Sequence, residues 1–260
     1  MKESEVAAFW DANAPLWDEF RRKGYDTYRL LSFAVFQERL GSIKGQRLVD
    51  LGCGEGYNTR IFAESGAQMI GIDISSQMIA CAKEREEKEP LGIEYHEASA
   101  SNLSFLESGS VDGVVSTLAI MDMPDIRPVF QEVFRIIREG GFFQFSVLHP
   151  VLTSPEFERV LNEKGEKRGC VIGNYFQEND PSIQKWHFTA TSQEERKVHP
   201  PFTMPFFHRT LSTYFSLLRE VGFQVESLDE PRASSELCKQ EPSLIDTTIY
   251  PYFLIMRCMK

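Results

Sequence analysis

The chain has 260 residues, 42% of them hydrophobic and 25% charged, so it can bury a core and is not of the disordered class. Its formal net charge is −10 and no basic stripe offsets that charge, which argues against nucleic acid as a partner. No apolar run reaches the ~18–20 residues that span a bilayer. Five scattered cysteines without a C-x-x-C pair argue against zinc clusters and disulfides. We expect a cytoplasmic globular protein that does not bind membranes.

The first 150 residues divide into a helical region and a region in which strands and helices alternate. Residues 1–45 have apolar residues at helical spacing, which predicts two helices. From residue 46 onward, strand-like and helical segments alternate: RLVDLG, a helix from about Tyr57 to Ser65, QMIGID, a helix opened by Ser75, GIEYHEA, VDGVVSTLAIM, a helix with Pro124 near its first turn that continues to Arg138 and stops at Gly140–Gly141, and FFQFSVL. This alternation predicts a parallel sheet covered by helices on both faces. The strand carboxyl ends, where ligands bind, then share one edge.

The stretch 150–209 breaks the alternation. It is punctuated by proline and glycine and has no long periodic segment, which indicates an insertion or lid. Regular structure resumes with a helix from about Leu211 to Glu220, a strand FQVESL and a last strand near Thr248–Arg257. We therefore divide the chain into N-terminal helices (1–45), an α/β core (46–149), the insertion (150–209) and the C-terminal part of the core (210–260).

The sharpest signal is VDLGCGEGYNTR, in which Gly52, Gly54 and Gly56 follow a strand and open a helix. Glycine lets the backbone approach a ligand closely, and free N–H groups at a helix start attract an anion. A dinucleotide fold prefers G-x-G-x-x-G, whose third position is here Tyr57. Asp73 ends the second strand, and its two oxygens can accept both hydroxyls of a ribose. Sites for NAD and for S-adenosylmethionine share that feature.

Five segments, in this order and spacing, resemble the successive motifs of class I S-adenosylmethionine-dependent methyltransferases. They are VDLGCGEGYNTR, the GIDIS acid with Met78 beyond it, YHEASASNLSF, SVDGVVSTLAIMDMPD and REGGFFQFSVLHP, and they cover about residues 46–150. The resemblance implies a Rossmann-like, doubly wound, mostly parallel sheet of seven strands. Its last strand would be antiparallel, which fits a strand ending at Arg257. N-terminal helices and an inserted lid complete that fold, and S-adenosylmethionine is the implied cofactor.

The resemblance also implies which residues hold the methionine end of the cofactor. The loop residues that would wrap it are Gly52, Cys53 and Gly54, although Cys53 also fits as a small filler beside the loop. Asp50 would brace the loop, and Leu118 would touch the methionine portion. Similar enzymes fold their N-terminal helices over the cofactor, which would set Trp17 or Tyr25 against the sulfonium and Arg29 against the carboxylate. Simple helix packing is the other interpretation of that segment.

The implied adenosine contacts come from the next two motifs. Asp73 would hold the ribose, and Ile74 and Met78 would flank the adenine, although Met78 fits a core position equally well. The backbone N–H of Ala100 is available for a ring nitrogen of the adenine. Many relatives have Asp where this chain has Ser99, and a hydroxyl accepts a hydrogen bond from the adenine amino group more weakly than a carboxylate does.

Methyl transfer from a sulfonium is an in-line displacement, so alignment and water exclusion contribute much, and an amine or alcohol acceptor also needs a base. His149 follows the fifth strand directly and is the leading candidate base, with a structural histidine as the alternative. His208 precedes a helix in FFHRTL, and similar small-molecule methyltransferases have a comparable segment there, so it is the second candidate. Asp122 either orients the acceptor or, as the capping preference favours, caps the next helix.

The insertion raises two further questions. It holds or adjoins four of the five histidines, but their spacing is irregular and we expect no metal site. Between residues 175 and 215, nine of 41 residues are aromatic. That density indicates either the wall of an apolar pocket or a small satellite core.

The sequence thus favours an S-adenosylmethionine-dependent methyltransferase that acts on a small, aromatic or hydrophobic acceptor. In that hypothesis residues 1–45 form a helical lid, residues 46–149 bind the cofactor and residues 150–209 lie on the substrate side. The alternative is a non-catalytic S-adenosylmethionine-binding module or partner subunit. A nicotinamide oxidoreductase is disfavoured by Tyr57.

Overall fold

The computed structural model describes residues 1–178 and 181–260 as an α/β fold with eleven strands. The strands are β1 Arg47–Leu51, β2 Gln68–Asp73, β3 Glu94–Glu97, β4 Val111–Thr117, β5 Ile137–Leu148, β6 Glu156–Leu161, β7 Lys167–Gly173, β8 Pro181–Trp186, β9 Phe202–Phe207, β10 Gln224–Asp229 and β11 Phe253–Met259. The α-helices are α1 Glu3–Arg22, α2 Arg29–Leu40, α3 Tyr57–Glu64, α4 Ser76–Lys88, α5 Ile126–Ile136, α6 Pro150–Thr153, α7 Gln193–Val198, α8 Leu211–Val221 and α9 Ser235–Gln240. Short 3₁₀ helices cover Ile120–Asp122 and Pro242–Thr248.

The central sheet has seven strands in the order β10-β11-β5-β4-β1-β2-β3. β1 pairs in parallel with β2 and β4, and parallel pairing continues to β3 and β5 at either side. β11 runs antiparallel to both β5 and β10. The Rossmann-like sheet with an antiparallel last strand is confirmed. After β3 the chain returns to the other side of β1, so a crevice opens at the carboxyl ends of β1 and β4.

The sheet lies between two helical layers because its strands are apolar on both faces. In β1, Leu48 packs with Phe36 of α2 and Phe62 of α3, whereas Val49 packs on the other face with Phe130 of α5. Each of these side chains is almost fully buried, and the four residues Leu48–Leu51 are buried in succession. Such continuous burial explains why β1 shows no alternation in sequence.

Two predicted boundaries around α5 are wrong. Asp125, rather than Asp122, is the N-cap, since its side chain accepts a hydrogen bond from the Arg127 N–H. The helix also ends at Ile136, and the Gly140–Gly141 pair lies inside β5. A Cβ on Gly141 would lie 2.5 Å from the Asp112 carbonyl oxygen, so glycine there permits a close strand approach and does not stop a helix.

The insertion has more regular structure than its sequence predicts. β6 pairs with β7 and β8 pairs with β9, in two separate antiparallel two-stranded sheets. Most side chains of β6 and β8 are exposed, so no hydrophobic alternation marked those two strands. At the C-terminus, the predicted strand near Thr248 is a 3₁₀ helix, and β11 begins only at Phe253. Within the described ranges, no helix is long and apolar enough to cross a bilayer.

Candidate functional site

A cavity of about 480 Å³ lies at the carboxyl ends of β1, β2, β4 and β5. The loops that follow these strands form its floor. Helices α1 and α2 and the β8–β9 pair complete its wall. The sequence-predicted residues that line it are Arg29, Gly52, Cys53, Gly54, Asp73, Ile74, Met78, Ser99, Ala100 and Leu118. The motifs singled out in the sequence therefore meet around one enclosed space.

The glycine loop is held in place by Asp73. One carboxylate oxygen of Asp73 accepts from the Gly54 N–H and the other from the Ser75 N–H, each at 2.9 Å. Burial raises the pKa of Asp73 to about 6, although these two N–H groups lower it. Each carboxylate oxygen can accept a second hydrogen bond, so Asp73 can bind a diol while it still holds the loop.

Asp50 and Cys53 support the loop from beneath. The Asp50 carboxylate is fully buried and accepts a 2.6 Å hydrogen bond from the Thr59 hydroxyl. Burial raises the pKa of Asp50 to about 7, and its second oxygen has no partner among the described residues. Cys53 is buried in the core cluster beside Tyr95, and burial raises the pKa of its thiol. Its packing agrees with the filler interpretation, and it still contributes to the cavity wall.

At the adenine side, the structure adds a residue that sequence analysis missed. The Ser99 hydroxyl donates to the Glu3 carboxylate at 2.8 Å, and the Ser101 hydroxyl donates to its other oxygen at 2.9 Å. Glu3 lies in the first turn of α1 and lines the cavity beside Ala100. Glu3 therefore provides a carboxylate beside Ser99, whose own side chain provides only a hydroxyl. Nothing in the sequence near Glu3 signals this contact.

Helix α4 starts as predicted. The Ser75 hydroxyl accepts from the Met78 N–H at 3.1 Å, which confirms Ser75 as the N-cap. The same hydroxyl donates to Asp11 of α1 at 2.6 Å. The N-terminal helix is thus tied to the start of α4, and Met78 and Ile74 lie under it in the cavity wall.

At the other side of the glycine loop, Arg29 is the notable group. Its Nε donates to the Asn58 side chain at 3.3 Å, whereas its Nη2 is buried without a hydrogen-bond partner among the described residues. Burial and the neighbouring Arg21 lower the pKa of Arg29. Arg21 has carboxylates of its own in Glu55 and Asp26. An unsatisfied guanidinium nitrogen at a cavity wall fits an anionic ligand group, as the sequence suggested for Arg29.

The loop after β4 contributes a strained residue and an acid. Leu118 has a φ of 54°, in the left-handed region that leucine rarely occupies, and its N–H donates to the Ser146 carbonyl at 2.9 Å. Asp122 is 4% exposed, and its Oδ1 has no partner among the described residues. Burial raises the pKa of Asp122 well above its ordinary value, although Arg209 lowers it. Both side chains line the cavity.

The two candidate catalytic histidines lie outside the described cavity lining. His149 Nδ1 accepts from the Val151 N–H at 3.2 Å, and its Nε2 lies 2.9 Å from a Glu230 oxygen. Burial lowers the pKa of His149, although Glu230 raises it. His208 Nε2 lies 2.7 Å from the Tyr175 carbonyl oxygen and its Nδ1 3.0 Å from the Thr153 hydroxyl. Both nitrogens of His208 thus have hydrogen-bond partners, whereas His149 Nε2 lies close to Glu230 without a hydrogen-bond partner among the described residues, and the catalytic roles stay predictions.

His187 is the histidine that the structure brings to the cavity wall. Its Nε2 lies 3.3 Å from the His199 carbonyl oxygen. A carbonyl can only accept, so in the neutral ring Nε2 carries the hydrogen and Nδ1 keeps a free electron pair. Sequence analysis named His187 only as one member of an irregular histidine set. The described residues bring no three metal-ligating side chains together.

The aromatic residues of the insertion form both a small satellite core and part of the cavity wall, the two alternatives that the sequence left open. Phe188 and Phe202 form a buried cluster with Phe20 of α1. Trp186 and Phe206 line the cavity, and Phe188 does so as well. Trp17 also lines the cavity, with its indole N–H donated to Glu55 at 3.0 Å. Tyr25 lies outside the lining, and its hydroxyl donates to Glu195 at 2.6 Å.

Comparison with known proteins agrees with this geometry. Residues 49–145 match the family model of a methyltransferase domain. An S-adenosylmethionine-dependent methyltransferase structure from Mesorhizobium loti superposes with a TM-score of 0.71 at 27% identity, covering 87% of this chain and 96% of that one. A structure from Listeria monocytogenes gives a TM-score of 0.69 at 28% identity, covering 88% of this chain and 96% of that one. The family match and these structural neighbours support a class I S-adenosylmethionine-dependent methyltransferase.

The family assignment confirms S-adenosylmethionine as the cofactor at the level of the family. Among curated proteins, the ubiquinone biosynthesis O-methyltransferase of Bordetella avium is 28% identical over 149 residues. That match covers 57% of this chain and 59% of the Bordetella protein, so the chain spans about three fifths of this relative's length. Because the match covers only part of both chains, the methyl acceptor of this chain is a separate question.

Gly52 provides a test of how closely the two cavity loops pack. It has a φ of +74°, and a Cβ there would lie 2.3 Å from the Ala119 Cβ. We expect Gly52→Ala to lower the free energy of unfolding by about 2–4 kcal/mol, because it adds a clash to the left-handed strain. Gly24→Ala is the matched control, since Gly24 also has a φ of +74° but nothing within 4 Å of an added Cβ. Urea unfolding of both variants gives the comparison, and equal losses would contradict the predicted loop contact.

Proposed function

We propose that this chain transfers the methyl group of S-adenosylmethionine to a small, aromatic or hydrophobic acceptor by in-line displacement. The observation that carries this proposal is a single cavity with two kinds of wall. Asp73 and Arg29 contribute polar groups suited to the cofactor, and Trp186, Phe188 and Phe206 contribute an apolar surface suited to a flat acceptor. A cavity that holds two ligands side by side aligns them, which is what a displacement at a methyl carbon requires.

The residues of the cavity fit the cofactor at three points. Asp73 has acceptor capacity for the ribose hydroxyls, and the unpartnered Arg29 Nη2 suits the methionine carboxylate. Glu3 suits the adenine amino group and compensates for the Ser99 hydroxyl, whose hydrogen it already accepts. When bound, S-adenosylmethionine supplies a methyl group on a sulfonium that a nucleophile can attack. The chain's own contribution is to hold and orient the two reactants.

Two titratable groups of the cavity suit the acceptor. His187 keeps a free electron pair on Nδ1 in its neutral form, so it can accept a proton from an amine or alcohol acceptor. The raised pKa of Asp122 favours its protonated form, which can donate a hydrogen bond and orient the acceptor. We therefore assign His187 as the base and Asp122 as a positioning group.

The proposal as a whole is tested in two steps. Calorimetry with S-adenosylhomocysteine measures cofactor binding, and mass spectrometry of incubations with aromatic acceptors and S-adenosylmethionine detects methyl transfer. Binding followed by a mass gain of one methylene in an acceptor is the expected result. Binding of the cofactor without transfer to any of a broad acceptor panel would favour the non-catalytic module.

We predict a pH dependence of cofactor affinity that comes from Asp73. Because its pKa is raised to about 6, the carboxylate is ionised above pH 6 and loses acceptor capacity as the pH falls below it. One pH unit below the pKa, only about a tenth is ionised, so the dissociation constant of S-adenosylhomocysteine should rise about tenfold between pH 7.5 and pH 5. Calorimetry across this range measures the change. Asp73→Asn should bind S-adenosylhomocysteine more weakly at every pH in this range and should lose most of the pH dependence. An unaltered pH dependence of the dissociation constant in this variant would exclude Asp73 as its source.

A second prediction concerns Glu3. Glu3→Gln removes the charge that the adenine amino group would meet, and we expect about a 5–20-fold weaker affinity for S-adenosylhomocysteine. Glu5→Gln is the control, because Glu5 also lies in the first turn of α1 but pairs with the Lys2 N–H. Both variants lose the same charge at the helix start. Equal affinities in the two would show that Glu3 does not contact the cofactor.

The base assignment is tested with a histidine pair. His187→Asn should lower turnover about 100-fold with an amine or alcohol acceptor, since a positioned base contributes at least that much. His149→Asn removes the imidazole but keeps a residue type that caps helices, so it should retain most of the turnover. Initial rates and S-adenosylhomocysteine affinities are measured for both. Loss of turnover only in His149→Asn would identify His149 as the base, as the sequence first suggested.

A further inference from the structure

A second group of charged residues, different from those assigned to the cofactor, lines the same cavity. Arg159 of β6, Lys167 of β7 and Asp246 of the 3₁₀ helix before β11 all belong to its wall. Lys167 Nζ lies 2.5 Å from one Asp246 oxygen, and Arg159 Nε lies 3.5 Å from the other. The Tyr250 hydroxyl donates to that second oxygen at 3.0 Å. None of these residues belongs to a motif of the cofactor-binding core.

The charges of this group do not balance. Asp246 is 1% exposed, and both of its oxygens already have partners. The Arg159 and Lys167 side chains are 44% and 34% exposed, so they reach beyond the carboxylate that they share. In the ion pairs of the described residues, Asp246 is their only carboxylate. Two cations against one anion leave one unit of positive charge at the cavity wall of a chain whose net charge is −10.

Asp246 does not use the whole hydrogen-bonding capacity of Arg159, which lines the cavity. Its ion pair with Asp246 runs through Nε, so this pair does not use the Nη side of the guanidinium. That side can bind a carboxylate with two parallel hydrogen bonds. If the two cations served only to neutralise Asp246, Lys167 alone would suffice, because its contact is the shorter one.

Two aromatic rings stand in the same part of the wall. Tyr28 and Tyr252 stack with ring centroids 4.6 Å apart, and both line the cavity. Burial raises the pKa of the Tyr28 hydroxyl, so it stays neutral and adds no negative charge. A ligand that extends from the apolar pocket to Arg159 would therefore meet aromatic surface and then positive charge.

We propose that Arg159 and Lys167 bind a carboxylate of the methyl acceptor, which makes the acceptor a monoanionic acid with an aromatic or apolar body. A single negative charge matches the single unit of positive charge that Asp246 leaves. This inference rests on the proposed function, since it names the class of acceptor for the same cavity. It does not depend on which acceptor atom is methylated.

The test compares probes of equal shape and different charge. Binding of 2-naphthoate, 2-naphthamide and 2-naphthyl phosphate is followed by ligand fluorescence at pH 7.5, with and without S-adenosylhomocysteine. We expect the acid to bind at least about tenfold more tightly than the amide, which is the usual effect of hydrogen bonds to a charged group. The phosphate, which carries more negative charge than the site balances, should bind no more tightly than the acid.

Variants then locate the effect. Arg159→Gln should abolish the preference for the acid, and Arg159→Lys should restore part of it. Arg168→Gln is the matched control. Arg168 follows Lys167 on β7, its side chain is 64% exposed, and it pairs with Glu166 and not with Asp246. S-adenosylhomocysteine affinity and melting temperature should be unchanged in all three variants, which shows that each is folded.

Each other outcome contradicts a specific statement. Equal binding of acid and amide, or failure of both to bind, overturns the carboxylate site, as does a preference that persists in Arg159→Gln. Tighter binding of the phosphate overturns the monoanionic assignment. Failure to bind S-adenosylhomocysteine contradicts the proposed function instead, and the acid preference can still be measured on the free chain.

Discussion

The carboxylate of Asp73 joins three parts of the molecule at the cavity. It accepts the N–H of Gly54 in the loop after β1 and the N–H of Ser75 at the start of α4. The Ser75 hydroxyl in turn caps α4 and donates to Asp11 of α1. A continuous series of hydrogen bonds thus connects the glycine loop to the helix that covers it. Burying the Asp73 carboxylate has an energetic cost, which the two charge-assisted N–H bonds offset in part. The pKa of Asp73 is still raised because this offset is incomplete.

Helix α1 adds charged groups to the cavity at both of its ends, Glu3 at the start and Arg21 at the end. Its 20 residues span ~30 Å at 1.5 Å per residue, enough to cross a ligand of nucleoside size. Glu3 contacts Ser99, Asp11 contacts Ser75 and Arg21 contacts Glu55. Glu3 and Arg21 are 18 residues apart, which is five full turns, so they lie on the same side of the helix. This spacing lets α1 reach both the adenine side and the methionine side of the glycine loop.

Sequence analysis recovered the parts of the protein in which local pattern and burial agree. The parallel strands are continuous apolar runs, the glycine loop needs its residue type, and Ser75 caps the helix that follows. It could not recover contacts that depend on how distant segments cross. Glu3 and Ser99 are 96 residues apart, and no local pattern reports their contact. His149 follows the expected strand, but the direction of its ring is set by the Val151 N–H and by Glu230. Most side chains of β6 and β8 in the insertion are exposed, so these two strands lack the alternation that marks a half-buried strand, whereas β9 is largely buried.

The two contacts that α1 makes differ in kind, and the difference bears on how the cavity is closed. Toward the insertion, Phe20 packs with Phe188 and Phe202 in an aromatic cluster that contains no residue of the central sheet. Toward the adenine side of the core, α1 makes the hydrogen bonds of Glu3 and Asp11. A hydrogen bond to a charged group such as these carboxylates contributes about 1.5–3 kcal/mol, and burying a large apolar side chain contributes about 1.5–3 kcal/mol as well. Per contact, then, α1 is bound about as strongly to the insertion as to the loops on the adenine side. Since the acceptor cavity lies between those two surfaces, a change in the packing of α1 alters both of its walls at once.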